Sequence, residues 1–167
     1  EEFERRAVGG NDPPFPVWWE IEIGQHLDAV VFVQALEASG CRIGSSALTV
    51  LSQLTLSTER KIFKLVVRSV EGLGFTKSTS RKEIYERARA LGLELCPPEV
   101  GPQLRLDYHS DLSSEGFHIA MEGFGGFDRT LGGFYVEHDE FGRRLGTDGE
   151  HPDYVWRLES RWVFVLP

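Results

Sequence analysis

Hydrophobic and polar positions alternate in several short stretches of this chain, and the alternation predicts β-strands. Residues 17–23 read Val-Trp-Trp-Glu-Ile-Glu-Ile, so that apolar side chains share one face while Glu20 and Glu22 share the other. Residues 61–70 predict a second strand, because β-branched and aromatic residues fill it and charges stand at its edges. About four more strands are expected from residue 103 onward, separated by glycine-rich turns.

Three other segments have the pattern of helices. Residues 26–39 end before Gly40 and are apolar nearly all round, which is typical of a buried helix. Residues 45–54 predict a short second helix that is capped by Ser45 or Ser46. Residues 80–83, Ser-Arg-Lys-Glu, form a capping box that begins the clearest helix, and this helix is expected to end near residue 91.

The order of these elements predicts an α+β fold in which a mostly antiparallel sheet packs against two or three helices. Residues 1–16 are rich in charge and proline and predict an extended tail. Residues 17–167 are expected to form a single α+β domain, helix-rich over 17–100 and strand-rich over 101–167.

The prolines that follow the third helix are expected to keep the chain extended as it enters the sheet. They are Pro97, Pro98 and Pro102.

Composition narrows the classes of partner. The chain has 167 residues, 41% of them hydrophobic, and this is enough to bury a core. Its net charge of −8 disfavours a general binder of nucleic-acid phosphates, so nucleic acid is an unlikely partner. No apolar run approaches the ~20 residues of a membrane span. A protein partner or a small ligand is therefore expected, and no membrane.

The two cysteines bear on the cellular compartment. Cys41 and Cys96 are far apart and form no CxxC motif, so two buried thiols in a reducing cytoplasm are favoured. Because the sequence starts at Glu1 rather than Met, loss of an N-terminal segment and a secreted origin stay open.

One stretch carries a resemblance. Residues 93–106 read Leu-Glu-Leu-Cys-Pro-Pro-Glu-Val-Gly-Pro-Gln-Leu-Arg-Leu, and residues 119–122 read Ile-Ala-Met-Glu. Together with Arg-Trp-Val-Phe-Val at residues 161–165, they resemble a family of small bacterial proteins of uncharacterised activity. The resemblance implies a bacterial origin, and it assigns no functional residue.

The first candidate site depends on a hairpin. If residues 103–109 and 117–124 are paired antiparallel strands, one register sets His109 opposite His118. Asp107 then shares the face of the histidines, and directly opposed side chains lie ~5 Å apart. Such a His-His-carboxylate set suits zinc or iron.

The alternative to a metal site is a solvated sheet face. In the same register Arg105 lies opposite Glu122, which is an ordinary cross-strand ion pair. This interpretation is preferred, because the chain has no motif with tight metal-ligand spacing such as HExxH.

A second candidate is the glycine-rich segment 123–133. Its residues Phe124, Phe127, Asp128 and Arg129 suit a loop that covers a pocket and recognises a planar or sugar-like ligand. Ordinary hairpin turns are the favoured alternative, and no Gly-Lys-Ser/Thr sequence supports a phosphate-binding loop.

Two further clusters are better explained structurally. Residues 137–140, Glu-His-Asp-Glu, predict an acidic hairpin turn rather than a general base, since neighbouring strand residues point to opposite faces. The basic cluster of residues 81–89 has the rhythm of a first DNA-binding helix. Prolines stand where a recognition helix should follow, so a solvated amphipathic helix is preferred.

These patterns together favour a non-catalytic binding or accessory module, because no nucleophile motif is present. The alternative is a small metal-dependent hydrolase that uses His109, His118, Asp107 and Glu122. No cofactor is predicted, and a divalent metal belongs to that alternative alone.

Overall fold

A computed structural model describes residues 15–109, 116–123 and 132–167 and confirms the α+β class. The α-helices of this part of the chain are α1 (Ala29–Ala38), α2 (Ser45–Gln53), α3 (Arg81–Ala90) and α4 (Val100–Asp107). The strands are β1 (Trp19–Ile23), β2 (Arg42–Ile43), β3 (Lys61–Ser69), β4 (Thr79–Ser80), β5 (Phe117–Ile119), β6 (Phe134–Asp139), β7 (Gly142–Thr147), β8 (Val155–Trp156) and β9 (Arg161–Leu166). Four helices thus replace the two or three that were expected.

Seven of the strands form one mixed sheet in the order β1-β3-β9-β5-β6-β7-β2. The pairs β1–β3, β3–β9, β5–β6 and β6–β7 are antiparallel, whereas β5–β9 and β2–β7 are parallel. The expectation of a mostly antiparallel sheet therefore needs correction, because strands distant in sequence add two parallel pairings. Strands β4 and β8 form a separate antiparallel pair.

Apolar side chains cover both faces of the sheet, because successive strand residues point to opposite sides. One face packs against α1, α2 and α4, and its buried residues include Ile21, Leu65, Ile119, Val163, Phe32, Leu51 and Leu104. The other face packs against α3, and its buried residues include Val66, Ala120, Trp162, Phe164, Ile84 and Ala88. Helix α3 thus covers the face of the sheet that is opposite to α1, α2 and α4.

The largest correction concerns residues 103–109, which are not a strand: residues 103–107 form the greater part of α4, and residues 108–109 follow it. Val100 and Leu104 are four residues apart, share one helix face and are both buried. Pro102 does not break the helix, because the first-turn N–H groups have no partner within a helix. Gly101 lets α4 approach the sheet closely, since a Cβ there would lie 2.6 Å from Cδ2 of Phe134.

The other helix predictions are confirmed with smaller changes. Helix α1 is buried on one side only, through Phe32 and Leu36, while Val30 is exposed. The Ser80 hydroxyl caps α3 by accepting a hydrogen bond from the backbone N–H of Glu83 at 3.3 Å. The N-cap of α2 is a glycine rather than a predicted serine.

Three remaining expectations can be compared with the structure. Phe15, which was assigned to the tail, is buried below the Arg68 guanidinium, and residues 1–14 lie outside the described part. Cys41 and Cys96 are free, buried thiols, as predicted. The predicted acidic turn is confirmed in part: residues 137–139 are the end of β6, and Glu140 lies in the turn of the β6–β7 hairpin. In the three described ranges, no helix has the length and apolar character to cross a bilayer.

Candidate functional site

The site begins with His118, which lies in β5 near the middle of the sheet. Tyr135 of β6 and Trp162 of β9 are its cross-strand neighbours, so the three side chains lie side by side on one face. The imidazole centroid is 4.6 Å from the Tyr135 ring and 4.5 Å from the Trp162 ring. Trp156 adds an edge contact at 4.7 Å. The ring is thereby enclosed by aromatic side chains.

Asp148 holds the imidazole from the end of β7. Its Oδ2 lies 2.9 Å from Nδ1 of His118, and its Oδ1 accepts a 2.7 Å hydrogen bond from the backbone N–H of Gly133. The side chain is only 2% exposed. Gly132 permits this approach, since its φ is +64° and a Cβ would lie 2.7 Å from Oδ1 of Asp148.

Arg81, the first residue of α3, compensates the buried carboxylate. Its Nη2 lies 2.9 Å from Oδ1 of Asp148, and its Nη1 donates a 2.9 Å hydrogen bond to the Tyr85 hydroxyl. Burial lowers the pKa of Arg81, but the charge of Asp148 and the contacts with Tyr85 outweigh burial and raise it overall. Arg81 is therefore a charged guanidinium held in one orientation.

Tyr85 joins this network to the backbone next to β5. Its hydroxyl donates to the carbonyl of Met121 and accepts from the N–H of Met121, both at 3.1 Å. Burial raises the pKa of Tyr85 to about 12, so the phenol is neutral near pH 7. The hydroxyl therefore keeps its proton, which it donates to Met121, and it accepts the hydrogen bond from Arg81 without adding charge.

A cavity of about 450 Å³ lies on the outer side of Arg81 and Tyr85. Arg81, Tyr85 and Arg89 line it because residues at i, i+4 and i+8 share one face of a helix. Tyr154 and Trp156 also line it, and their ring centroids are 4.7 Å apart. The cavity thus combines an aromatic surface with a fixed cation.

The rim of the cavity carries both signs of charge. Its cations are Arg81, Lys82 and Arg89, and its carboxylates are Glu86, Glu122 and Glu150. A polyanion such as a nucleic-acid backbone would meet as many repulsive as attractive groups there. The rim therefore suits a ligand with a localised charge.

A second cavity of about 470 Å³ adjoins the first. Arg89 and Glu122 line both cavities, and Leu93, Glu94 and Leu95 line the second alone. The Arg89 Nη2 and Glu122 Oε1 atoms are 3.9 Å apart, and the side chains are 52% and 70% exposed. An ion pair so exposed is weak, so it separates the two cavities only loosely.

The expected hairpin face is not formed by the three predicted metal ligands, His109, His118 and Asp107, or by Glu122 of the predicted hydrolase site. His109 is exposed beyond the end of α4. Asp107 ends α4 and accepts a 3.0 Å hydrogen bond from Gln103. Burial raises the pKa of Asp107, whereas the hydrogen bond from Gln103 and the charges of His109 and His26 act to lower it. Glu122 instead faces Arg89.

His118 is bound to Asp148, so it has a carboxylate partner other than the predicted one. The predicted Arg105–Glu122 pair is replaced as well. Arg105 is 1% exposed and donates to the carbonyls of Glu137 and Tyr108, both at 2.5 Å. The hairpin prediction is wrong because residues 103–107 are helical.

The described residues contain no group of three or more His, Cys, Asp or Glu side chains suited to a metal ion. The predicted loop residues, which are Phe124, Phe127, Asp128 and Arg129, lie outside the described part of the chain. The basic cluster of α3 is divided, since Arg81 binds Asp148 and the Arg87 Nε donates to the Leu73 carbonyl at 2.8 Å.

The His118–Asp148 pair has the geometry of an imidazole oriented by a carboxylate, which is one half of a general-base arrangement. Catalysis of that kind also needs a nucleophile within hydrogen-bond reach of the imidazole. Within the described ranges, no Ser, Thr or Cys side chain hydrogen-bonds to His118. Asp148 also binds Arg81 through its Oδ1, so the pair contributes to the orientation of Arg81.

Sequence reasoning identified His118 but missed its partners. Asp148 stands in a Thr-Asp-Gly-Glu turn that matches no motif, and only the sheet topology brings it to His118. A signal for the cavity was present in α3, where Arg81, Tyr85 and Arg89 repeat at four-residue spacing beside the apolar face.

Comparison of the chain with known proteins finds no matching family model, no matching curated protein and no matching solved structure. The resemblance to small bacterial proteins stays a prediction.

Proposed function

We propose that this protein is a non-catalytic binding module whose ligand carries an aromatic ring and a carboxylate. The observation that supports the proposal is the orientation of Arg81, which Asp148 and Tyr85 hold from behind while its side chain is 24% exposed at the cavity. A guanidinium ordered before binding loses little freedom when it binds an anion.

The aromatic part of the ligand follows from the same cavity. Tyr154 and Trp156 offer ring faces and edges beside the guanidinium. Pockets that bind small molecules are mainly apolar, with a few polar groups that fix orientation. A planar ring against these side chains and a carboxylate at Arg81 would satisfy both kinds of group.

A hydrolase that uses His109, His118, Asp107 and Glu122 is less well supported, because the hairpin that would align these side chains is absent from the described residues. The proposal therefore keeps binding as the function and moves the site to the cavity beside α3.

The test is a calorimetric titration with N-acetylphenylalanine, which has one aromatic ring and one carboxylate. We expect binding that weakens when the carboxylate is replaced by an amide. Tyr154→Ala should weaken it by about 2- to 13-fold, since an aromatic pair contributes about 0.5–1.5 kcal/mol.

Phe141→Ala is the matched control, because Phe141 is an exposed aromatic residue in the β6–β7 turn, away from the cavity. This variant should bind as the unmodified protein does. Equal binding of the acid and the amide would contradict the role given to Arg81, and no binding of either would contradict the proposed site.

A further inference from the structure

We infer that the ligand is the carboxyl-terminal segment of a partner polypeptide, which lies extended along α3 through both cavities. This inference rests on the proposed function and specifies its ligand. The starting observation is that Arg89 and Glu122 line both cavities. The two cavities therefore form one groove.

The length of the groove can be taken from the helix. Arg81 lines the first cavity and Arg89 lies eight residues further along α3, which places them about 12 Å apart along the helix axis. A lone aromatic carboxylate fills only the end near Arg81. An extended peptide of four residues spans about 13 Å and reaches the boundary between the cavities.

The direction of the peptide follows from the charges. The oriented guanidinium and the aromatic wall both belong to the first cavity, so the terminal carboxylate and the last side chain belong there. The second cavity is lined by two carboxylates, Glu94 and Glu122, and by one cation, Arg89, which faces Glu122. Glu94 is the carboxylate in excess, and it attracts a cationic side chain a few residues upstream. The mixed charge of the rim also disfavours a nucleic acid in the same groove.

Access to the second cavity requires little rearrangement. Arg89 and Glu122 meet at 3.9 Å as an exposed pair, so a peptide can displace their contact at small cost. Leu93 and Leu95 lie on either side of Glu94, whose backbone is held by paired hydrogen bonds of 2.9 Å with Val165. This wall of the groove is therefore firm, while the ion pair that crosses the groove is not.

The experiment compares three probes by calorimetry: N-acetylphenylalanine, the peptide acetyl-lysyl-alanyl-alanyl-phenylalanine, and the same peptide with a C-terminal amide. We expect the peptide acid to bind at least about tenfold more tightly than N-acetylphenylalanine, and the amide to lose most of that affinity. Glu94→Arg should reduce the advantage of the peptide and leave the affinity for N-acetylphenylalanine unchanged.

Glu71→Arg is the matched control, since Glu71 is exposed on a different turn and lines neither cavity. Equal affinity for N-acetylphenylalanine and the peptide acid would overturn the extended groove and leave the proposed function in place. Equal affinity for the peptide acid and amide would overturn the carboxyl-terminal assignment. Failure of all three probes to bind would overturn both proposals.

Discussion

Asp148→Asn keeps the shape of the buried side chain but removes the charge that compensates Arg81. The carboxylate of Asp148 contacts the Arg81 guanidinium, the His118 imidazole and the Gly133 N–H at 2.7 to 2.9 Å. Removing one partner of a buried ion pair costs about 3–5 kcal/mol, because the other charge stays buried alone. Arg81 keeps 24% exposure, so we expect a loss of free energy of unfolding near the lower end, about 3 kcal/mol.

The assay is urea unfolding followed by far-UV circular dichroism, together with thermal unfolding. A loss of this size lowers the Tm of a chain of this length by roughly 6–12 °C. Asp139→Asn is the matched control, because Asp139 pairs with Arg42 at the surface. A surface pair contributes little, so this variant should unfold close to the unmodified protein.

A double-mutant cycle separates the ion pair from general damage. Arg81→Met leaves the Asp148 carboxylate without its cation, so each single variant should be strongly destabilised. The combined Arg81→Met and Asp148→Asn variant should lose clearly less than the two single losses together. If Asp148→Asn unfolds like Asp139→Asn, the reasoning that the network is a buried, mutually dependent unit is refuted.

Three further variants or measurements test the packing. Gly101→Ala should destabilise the fold by about 1–3 kcal/mol in urea, because its Cβ would lie 2.6 Å from Phe134. Asp107→Asn should become more stable than the unmodified protein as the pH rises above about 4. Burial raises the pKa of Asp107, so the folded state binds this proton more tightly than the unfolded state does. The unmodified protein therefore loses stability as the carboxyl group ionises, and the variant does not. Cys41 and Cys96 should both react slowly with a thiol reagent, since burial raises the pKa of both thiols. Cys96 should react more slowly, because the charges of Arg105 and Arg143 partly offset the effect of burial at Cys41.

Each of these predictions has a comparison that can contradict it. Gly72→Ala meets only flexible side chains, with Ser69 Oγ at 3.1 Å and Arg68 Cδ at 3.5 Å, and should cost less than Gly101→Ala. Asp153→Asn changes an exposed side chain, and a pH profile identical to that of Asp107→Asn would exclude burial as the cause. In urea both thiols should react at once; equally fast reaction in the folded protein would show that they are accessible.

The sequence predicted elements whose signals are local. The Ser80 cap of α3 and the turn at Glu140 depend on a few neighbouring residues, and both are present. The segment 103–109 was misassigned because the alternation of Leu104, Leu106 and Tyr108 has the period of a strand, whereas the helix is indicated by the four-residue spacing of Val100 and Leu104.

The candidate site was harder to predict because its contacts are not local. His118 and Asp148 are 30 residues apart, and Arg81 is 67 residues from Asp148. The pairing of β5 with β6 and of β6 with β7, together with the packing of α3, brings these side chains together. The spacing of residues within a single sequence does not indicate such long-range side-chain contacts.

The position of β9 in the sheet also affects how the protein folds as it is synthesised. Strand β9 is the last of the nine strands in the described part of the chain, yet it lies between β3 and β5. Until a ribosome has released residues 161–166, β3 and β5 each expose an unpaired edge, and Trp162 is missing from beside His118. Open strand edges invite pairing with other chains. The nascent protein is therefore most vulnerable to aggregation just before this strand emerges.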